Sequence, residues 1–510
     1  MTQPDILFIV LDTQRADRLG CYGHRPITPN LDQLAAGGAR FTQAVAPAQW
    51  TIPSHASMFT GVYPTAHQVT QSSQALSKER PHIAELLHAS GYETIGFCNN
   101  PLVGILNNGF KRGFETFYNY GGAVPSLPRS SSNMPPFFGR IAEAYTQFLR
   151  RISYPIQNFF GQSDLAFRLS LNAWLTPLWS KLANFKGQNE RSINDVVHFL
   201  QQREAEQPDE PLFMFVNLME THLPFWPPNE YINQVAPYLL KDPEAQKVMH
   251  RWNREAYRWA APLAEPLTDL EERVLNDLYD AEVAYQDAYL GRLFATLEER
   301  SNRDNTLTII LSDHGDALGD HGYIGHTFVA YEELVHVPLM MHWPAEIRPN
   351  TTLTTPVSTR RVFHTLLDAA GAGQSDLSLM HTIDGHDPEN GTAFAEVFPP
   401  LNFTKAIEHR QPGLLARHRC YEPRRAVVRD NHKLIRISAE PVELFDLQRD
   451  PAELENVKEL FSAETDALNR QLNQFVTEVE RERDSAAAGA KIIIEDDQLR
   501  ERMRGLGYIE

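Results

Sequence analysis

With 510 residues and a mass of 58.0 kDa, the chain is too long for one small module, and at about 100–200 residues per domain two or three domains are expected. Hydrophobic residues at 42% and charged residues at 22% exclude wholesale disorder, and a net charge of −18 excludes non-specific attraction to a nucleic-acid backbone. The three cysteines, Cys21, Cys98 and Cys420, lie far apart without CxxC spacing, so neither a disulfide framework nor a zinc-thiolate site is expected.

The N-terminal Met1-Thr-Gln-Pro lacks the basic region of a signal peptide, and the apolar run that follows is too short for its hydrophobic region. No run of apolar residues is long enough to span a bilayer. The expectation is a cytoplasmic enzyme. The run 6–11 (ILFIVL) is continuously apolar and partly β-branched, which predicts a strand covered on both faces by helices. It ends in Asp12-Thr13, at the strand edge where open α/β sheets place their ligands. In WTIPSHASMFTG (50–61), Pro53 suits a first helical turn, and Ser54 and Ser57 are expected to satisfy free N–H groups there. Thr51 then stands at a helix N-terminus, where amides and the helix dipole favour an alkoxide or a bound anion. Asn99-Asn100-Pro101 is a turn signal in which Asn100 is a candidate substrate contact.

Residues 124–136 (VPSLPRSSSNMPP) predict an exposed loop, followed by an aromatic region to about residue 185. Its apolar residues at helical spacing predict a packed helical insertion or lid. A lipid-facing surface is the other reading, so peripheral membrane contact stays open. The run 212–216 (LFMFV) predicts a second buried strand, followed by Asn217, Glu220 and His222. A second insertion is expected over 232–270, with Trp252, Tyr257 and Trp259. Val283, Leu290, Leu293 and Leu297 predict a helix over 281–300. It leads into a third buried strand, 306–311 (TLTIIL), ending in Ser312-Asp313-His314-Gly315. Near residue 375 the texture changes. Runs 425–429 and 433–437 predict paired strands around Asp430-Asn431, and a polar helix is expected from about 462 to 483. The expected organisation is an α/β catalytic domain over 1–375, with insertions at about 124–190 and 232–270, and a smaller C-terminal α+β domain over 376–510.

Three strands thus deliver Asp and His side chains at their ends. Two carboxylates, an imidazole and a hydroxyl make a hard, oxygen-rich site for a divalent cation, which lowers the pKa of a nearby hydroxyl and neutralises a transferring group.

On these residues the chain resembles the sulfatase family of the alkaline phosphatase superfamily. The matching segments are DILFIVLDTQRADRLGCYG, TIPSHASMFTG, FVNLMETHLPFWPP, YDAEVAYQDAYLGRLFATLEE followed by TLTIILSDHGDALGDHG, then YEELVHVPLMMHWP, VFHTLLDAAG, ELFDLQRDPAELENV and the terminal RGLGYIE. The resemblance implies a large mixed central β-sheet sandwiched by helices, with the smaller C-terminal domain beside it. It implies one divalent cation (Mn, Zn, Ca or Mg) on Asp12, Asp313, His314 and Thr51, with Thr13 as a further ligand. It implies His222 as the acid on the leaving group, and His326 or His321 on the anion or on a water molecule. It also implies a small anionic ester as substrate, with a homo-oligomer among the options.

The departures are informative. The family oxidises a Cys or Ser to formylglycine; Thr51 stands there and cannot become an aldehyde, so no formylglycine is expected. His55 replaces the family Arg. The Lys expected before Tyr-Glu-Glu is missing, with Phe328 nearest and His326 two residues earlier. Fewer fixed positive charges suit a phosphate diester or phosphonate monoester, attacked by Thr51. A sulfuric ester hydrolase without formylglycine, a phosphoryl transferase to an alcohol, and a non-catalytic binding protein on the same fold are the alternatives.

Overall fold

The computed structural model describes residues 3–121, 186–254 and 261–485. The expected aromatic insertion up to residue 185 lies outside these residues, as do Tyr257 and Trp259.

The described strands are β1 (Asp5–Leu11), β2 (Ala39–Val45), β3 (Glu93–Cys98), β4 (Thr116–Asn119), β5 (Leu212–Leu218), β6 (Thr306–Leu311), β7 (Ala317–Leu318), β8 (Ile324–Gly325), β9 (His336–His342), β10 (Thr351–Leu353), β11 (Val357–Ser358), β12 (Thr392–Val397), β13 (Arg424–Arg429), β14 (His432–Ile437) and β15 (Glu440–Asp446). Nine form one sheet in the order β10-β2-β9-β6-β1-β5-β3-β4, with β11 also beside β2. β9 runs antiparallel to both its neighbours, and the other pairings are parallel. The sheet is therefore mixed, as the resemblance implied.

The three predicted strands lie together at its centre, β6-β1-β5. Their residues are fully buried because both faces are covered. Ile6, Phe8 and Val10 pack into one hydrophobic cluster, while Leu7, Ile9 and Leu11 pack into the other. That is why these strands read as unbroken apolar runs instead of alternating ones; each such side chain contributes about 1.5–3 kcal/mol on burial. The predicted helix after 281 is the second half of a longer one, Asp269–Glu298. Thr268 and Glu271 start it with a reciprocal capping box. Its buried face, including Val274, Leu278, Leu290 and Leu293, joins the second cluster.

A second sheet, β12-β13-β14-β15, is antiparallel. The helix Ser462–Ser485 covers it, setting Leu468, Leu472, Phe475 and Val479 against Val427, Leu434 and Leu444. Among the described residues no helix is long and apolar enough to cross a membrane.

Register positions the site. Val10 pairs with Asn217 on β5 and with Leu311 on β6, and Cys98 on β3 pairs with Asn217. The four strands end level, so the residues just past Leu11, Cys98, Leu218 and Leu311 meet at one edge of the sheet.

Candidate active site

Asp12, Asp313 and His314 come together at that edge, all fully buried, with one ligand atom of each within 4.8 Å of the others. His314 Nε2 is 3.3 Å from Asp313 Oδ2 and 3.9 Å from Asp12 Oδ1. His314 Nδ1 lies 2.8 Å from the Gly315 carbonyl, which leaves Nε2 as the nitrogen facing the carboxylates. Gly315 is required by close approach: a Cβ there would meet the Glu333 carbonyl oxygen at 2.0 Å.

The helix Thr51–Thr60 brings its first residue to the same point. Thr51 Oγ1 is 3.4 Å from His314 Nε2 and 3.4 Å from Asn100 Nδ2. The preceding Trp50 offers no side-chain cap, so the positive end of the helix is left to the site. Ser54 and Ser57 do not cap the helix as expected. Ser54 Oγ donates to the Asp313 carbonyl at 2.7 Å, tying the helix to the end of β6. Ser57 Oγ lies 3.0 Å from His67 Nε2. Asn100 does two jobs: its Oδ1 accepts from Leu102 N–H at 2.8 Å, and its Nδ2 donates to Asp12 Oδ2 at 2.5 Å.

Two expected contacts sit elsewhere. Thr13 Oγ1 donates to its own neighbour's carbonyl on Asp12 at 2.6 Å and lies 3.2 Å from Thr221 Oγ1. What Thr13 sends to the cluster is its backbone N–H, 3.3 Å from Asp313 Oδ1. Its φ of 62° is costly for a β-branched residue, about 1–3 kcal/mol. His55 is buried behind Asp313, with Nδ1 3.0 Å from the Thr51 carbonyl and 3.3 Å from Asp313 Oδ2, and Nε2 3.4 Å from Asn217 Nδ2. The rings of Phe59, Phe110 and Phe215 surround it. Both nitrogens face protein groups, so its evident work is to hold Asp313 and the start of the helix.

His222 and His326 complete the cluster. The His326 ring is 4.5 Å from that of His314 and 5.0 Å from that of His222. His222 Nδ1 lies 2.6 Å from the Leu223 carbonyl, and His326 Nδ1 lies 2.9 Å from Asp316 Oδ1. Asn217 was marked only as a strand-end residue, and Asp316 was not selected from the sequence. The signal for Asp316 was its place in the same strand-end run, SDHGD, two residues past His314. Lys186, 2.6 Å from Glu282 and 3.6 Å from Glu220, had no sequence signal.

Electrostatics favour a cation. Burial first, and then Asp313, push the Asp12 carboxyl well above its ordinary range, against the hydrogen bond from Asn100. Burial also opposes ionisation of Asp313, but His314 and His55 hold it at about 2. Burial lowers His314 to about 4 although Asp313 pulls it up. Asp12 Oδ1 accepts no hydrogen bond among the described residues, and Asp313 Oδ2, which faces the ring nitrogens of His55 and His314 at 3.3 Å, is as deeply buried. Two such carboxylate oxygens beside an imidazole and a hydroxyl fit a divalent cation, whose charge would offset their desolvation.

His321 lies away from this cluster. Its Nδ1 is 3.0 Å from Glu333 Oε1, its Nε2 is 3.1 Å from the Glu453 carbonyl, and its ring stacks on Tyr331 at 3.8 Å. Nearby, Lys433 Nζ is 2.9 Å from both Glu332 and Glu453. Burial pushes His321 down, but the hydrogen bond and charge of Glu333 hold it up at about 9, above its ordinary 6.5. Burial raises Glu453 from 4.5 to about 8, although Lys433 pulls it down. Both groups hold a proton more tightly when folded. Their stabilisation is therefore complete below the unfolded values and is lost as pH rises through the folded ones. The melting temperature is expected to fall between pH 6.5 and 9, and less steeply in His321→Gln. A profile that is flat or rises over that window would contradict this.

The chain has relatives among known proteins. The family model described as Sulfatase matches residues 4–372. The chain is 27% identical to an uncharacterized sulfatase, YidJ, of Escherichia coli (strain K12), over 90% of this chain and 83% of that one. Among solved structures, a phosphonate monoester hydrolase of Agrobacterium radiobacter superposes with a TM-score of 0.63 at 21% identity, covering 94% of this chain and 96% of that one. A structure solved in complex with its substrate, a D-glucosamine-2-N,6-O-disulfate, superposes with a TM-score of 0.64 at 18% identity, covering 95% and 99%. At these identities the structural likeness carries the fold.

Proposed function

Because the chain belongs to the sulfatase family, and so to a group of ester hydrolases, we propose that it hydrolyses a phosphate diester or phosphonate monoester with Thr51 as nucleophile. The observation that supports this is the Thr51 hydroxyl itself, buried at an uncapped helix start and 3.4 Å from both His314 and Asn100, beside the Asp12 carboxylate, whose Oδ1 accepts no hydrogen bond among the described residues. When bound on Asp12, Asp313 and His314, a divalent cation would lower the pKa of a neighbouring hydroxyl and offset charge on the transferring group. Thr51 Oγ1 gives up its proton to bulk water and attacks phosphorus in line as the bond from phosphorus to the leaving oxygen breaks, and the helix N-terminus and the Asn100 amide favour the anionic oxygens.

His222 protonates the leaving oxygen. Burial first, and then His326, push its ring well below the ordinary imidazole range, so it is neutral in the free protein. The negative charge of a bound ester raises it again, which couples proton supply to substrate binding. The sulfuric-ester alternative draws on the sulfatases among its relatives.

The metal-loaded protein should be assayed on an aryl phosphate diester, an aryl phosphonate monoester and an aryl sulfate. Turnover of the phosphorus esters is expected to exceed that of the sulfate by about 100-fold, since a single-hydroxyl nucleophile must be freed by water attack at the transferred atom, and a chelator should abolish it. Faster turnover of the sulfate would establish the sulfuric-ester reading instead.

A further inference from the structure

We infer that Asp316 is a positioning residue for the reaction: its carboxylate fixes the tautomer and orientation of His326, which then takes the proton of the water that frees Thr51. This rests on the proposed role of Thr51 and deepens it.

Asp316 is fully buried, and its Oδ1 is 2.9 Å from His326 Nδ1. Its own backbone is fixed, since Arg15 Nη1 donates to the Asp316 carbonyl at 3.2 Å and Gly315 N–H donates to the Leu334 carbonyl at 2.8 Å. His326 Nδ1 is the nitrogen held against Asp316 Oδ1, so Nε2, on the opposite edge of the ring, is the nitrogen left for substrate or water. That ring is packed between His314 and His222, 4.5 Å and 5.0 Å away. The contact set is one that a solely structural ion pair would not need. Asp316 is buried but has no part in the three-residue cation group, and its side-chain hydrogen bond among the described residues goes to a half-buried imidazole at the reacting edge.

In the second step the water oxygen bonds to phosphorus and the bond from phosphorus to Thr51 Oγ1 breaks, leaving its electron pair on Oγ1. One water proton passes to His326 Nε2 and is returned to Oγ1, so that one hydrogen of the water ends on Thr51 and the hydroxyl ends on phosphorus. Without Asp316 the ring can present an N–H where the lone pair is needed.

The test compares metal-loaded Asp316→Asn, Asp316→Ala and Thr51→Ala with the wild type, by melting temperature, metal content, steady-state kinetics and intact mass of the quenched enzyme. Asp316→Asn should keep its fold and metal, lose about 10–100-fold in kcat with much less change in KM, and accumulate the covalent adduct on Thr51. Formate, a carboxylate of the size removed, should restore part of the rate of Asp316→Ala. A wild-type kcat in Asp316→Asn overturns the inference. So does a lower kcat without adduct accumulation, which would mean that the first step had slowed. Turnover by Thr51→Ala would overturn the nucleophile and this inference together, whereas an inactive Thr51→Ala beside a fully active Asp316→Asn overturns the role of Asp316 alone.

Discussion

Thr51→Ala is expected to lower turnover by about 10⁴–10⁶-fold, the scale on which removal of a hydrolase nucleophile acts, while metal content stays near that of the wild type. The two halves of this result have separate causes. The polar group lost is the hydroxyl at position 51, which faces His314 and Asn100; the γ-methyl goes with it. The carboxylates of Asp12 and Asp313 and the imidazole of His314 remain, so the stronger ligands are intact. Thr51→Ser keeps a hydroxyl on the same helix start and should retain most of the activity. The measurement is kcat on the best ester of the panel, alongside elemental analysis of the same samples. Turnover within about tenfold of wild type in Thr51→Ala would remove the residue from the reaction. Loss of both turnover and metal would make it a ligand first.

Asp12→Asn should act in opposite directions on the loaded and the metal-free protein. Substituting one of two buried carboxylates removes a principal ligand, so cation affinity and turnover collapse. The metal-free variant, however, should melt above the metal-free wild type. Burial, with Asp313 next, pushes the Asp12 carboxyl well above its ordinary range. A carboxyl so raised contributes stability only at low pH and loses it as pH rises, so at neutral pH it is a net cost in the absence of the cation. The neutral amide introduced by this substitution would present no charge to Asp313. Wild type should gain about 2.7 kcal/mol at a cation concentration about 100 times its Kd, and Asp12→Asn should gain almost nothing. Thermal unfolding with and without a chelator measures both. A metal-free variant less stable than metal-free wild type would show that the cluster is already balanced by its hydrogen bonds.

Asp12, Asp313 and His314 were readable because each follows a short, unbroken, β-branched apolar run, the pattern of a strand buried on both faces. Thr51 was readable because Pro53 marks a helix start. His321 and His326 were not separable, since both lie within the same turn-rich segment. In the structure, His326 stands against His314, whereas His321 bonds to Glu333 and to the Glu453 carbonyl. The second of these partners lies 132 residues further along the chain, beyond any local pattern. His55 and Thr13 show the same limit at short range. Rotamer and backbone turn His55 toward Asp313 and Asn217, and turn the Thr13 hydroxyl toward Thr221.

Sequence alone determined the elements and the chemistry at their ends: which runs are strands, which residue opens the helix, and which side chains at those points can hold a cation or carry a proton. Periodicity and turn chemistry are local properties, and residue type fixes donor capacity wherever the chain goes. The tertiary structure decided which of those ends meet. Parallel register set β1, β3, β5 and β6 level, so that Asn100, Asp12, Asn217 and Asp313 share one edge, and it decided which histidines face that edge and which are held by distant carboxylates. Those choices depend on packing between segments hundreds of residues apart, where a shift of one strand position would turn every side chain to the opposite face.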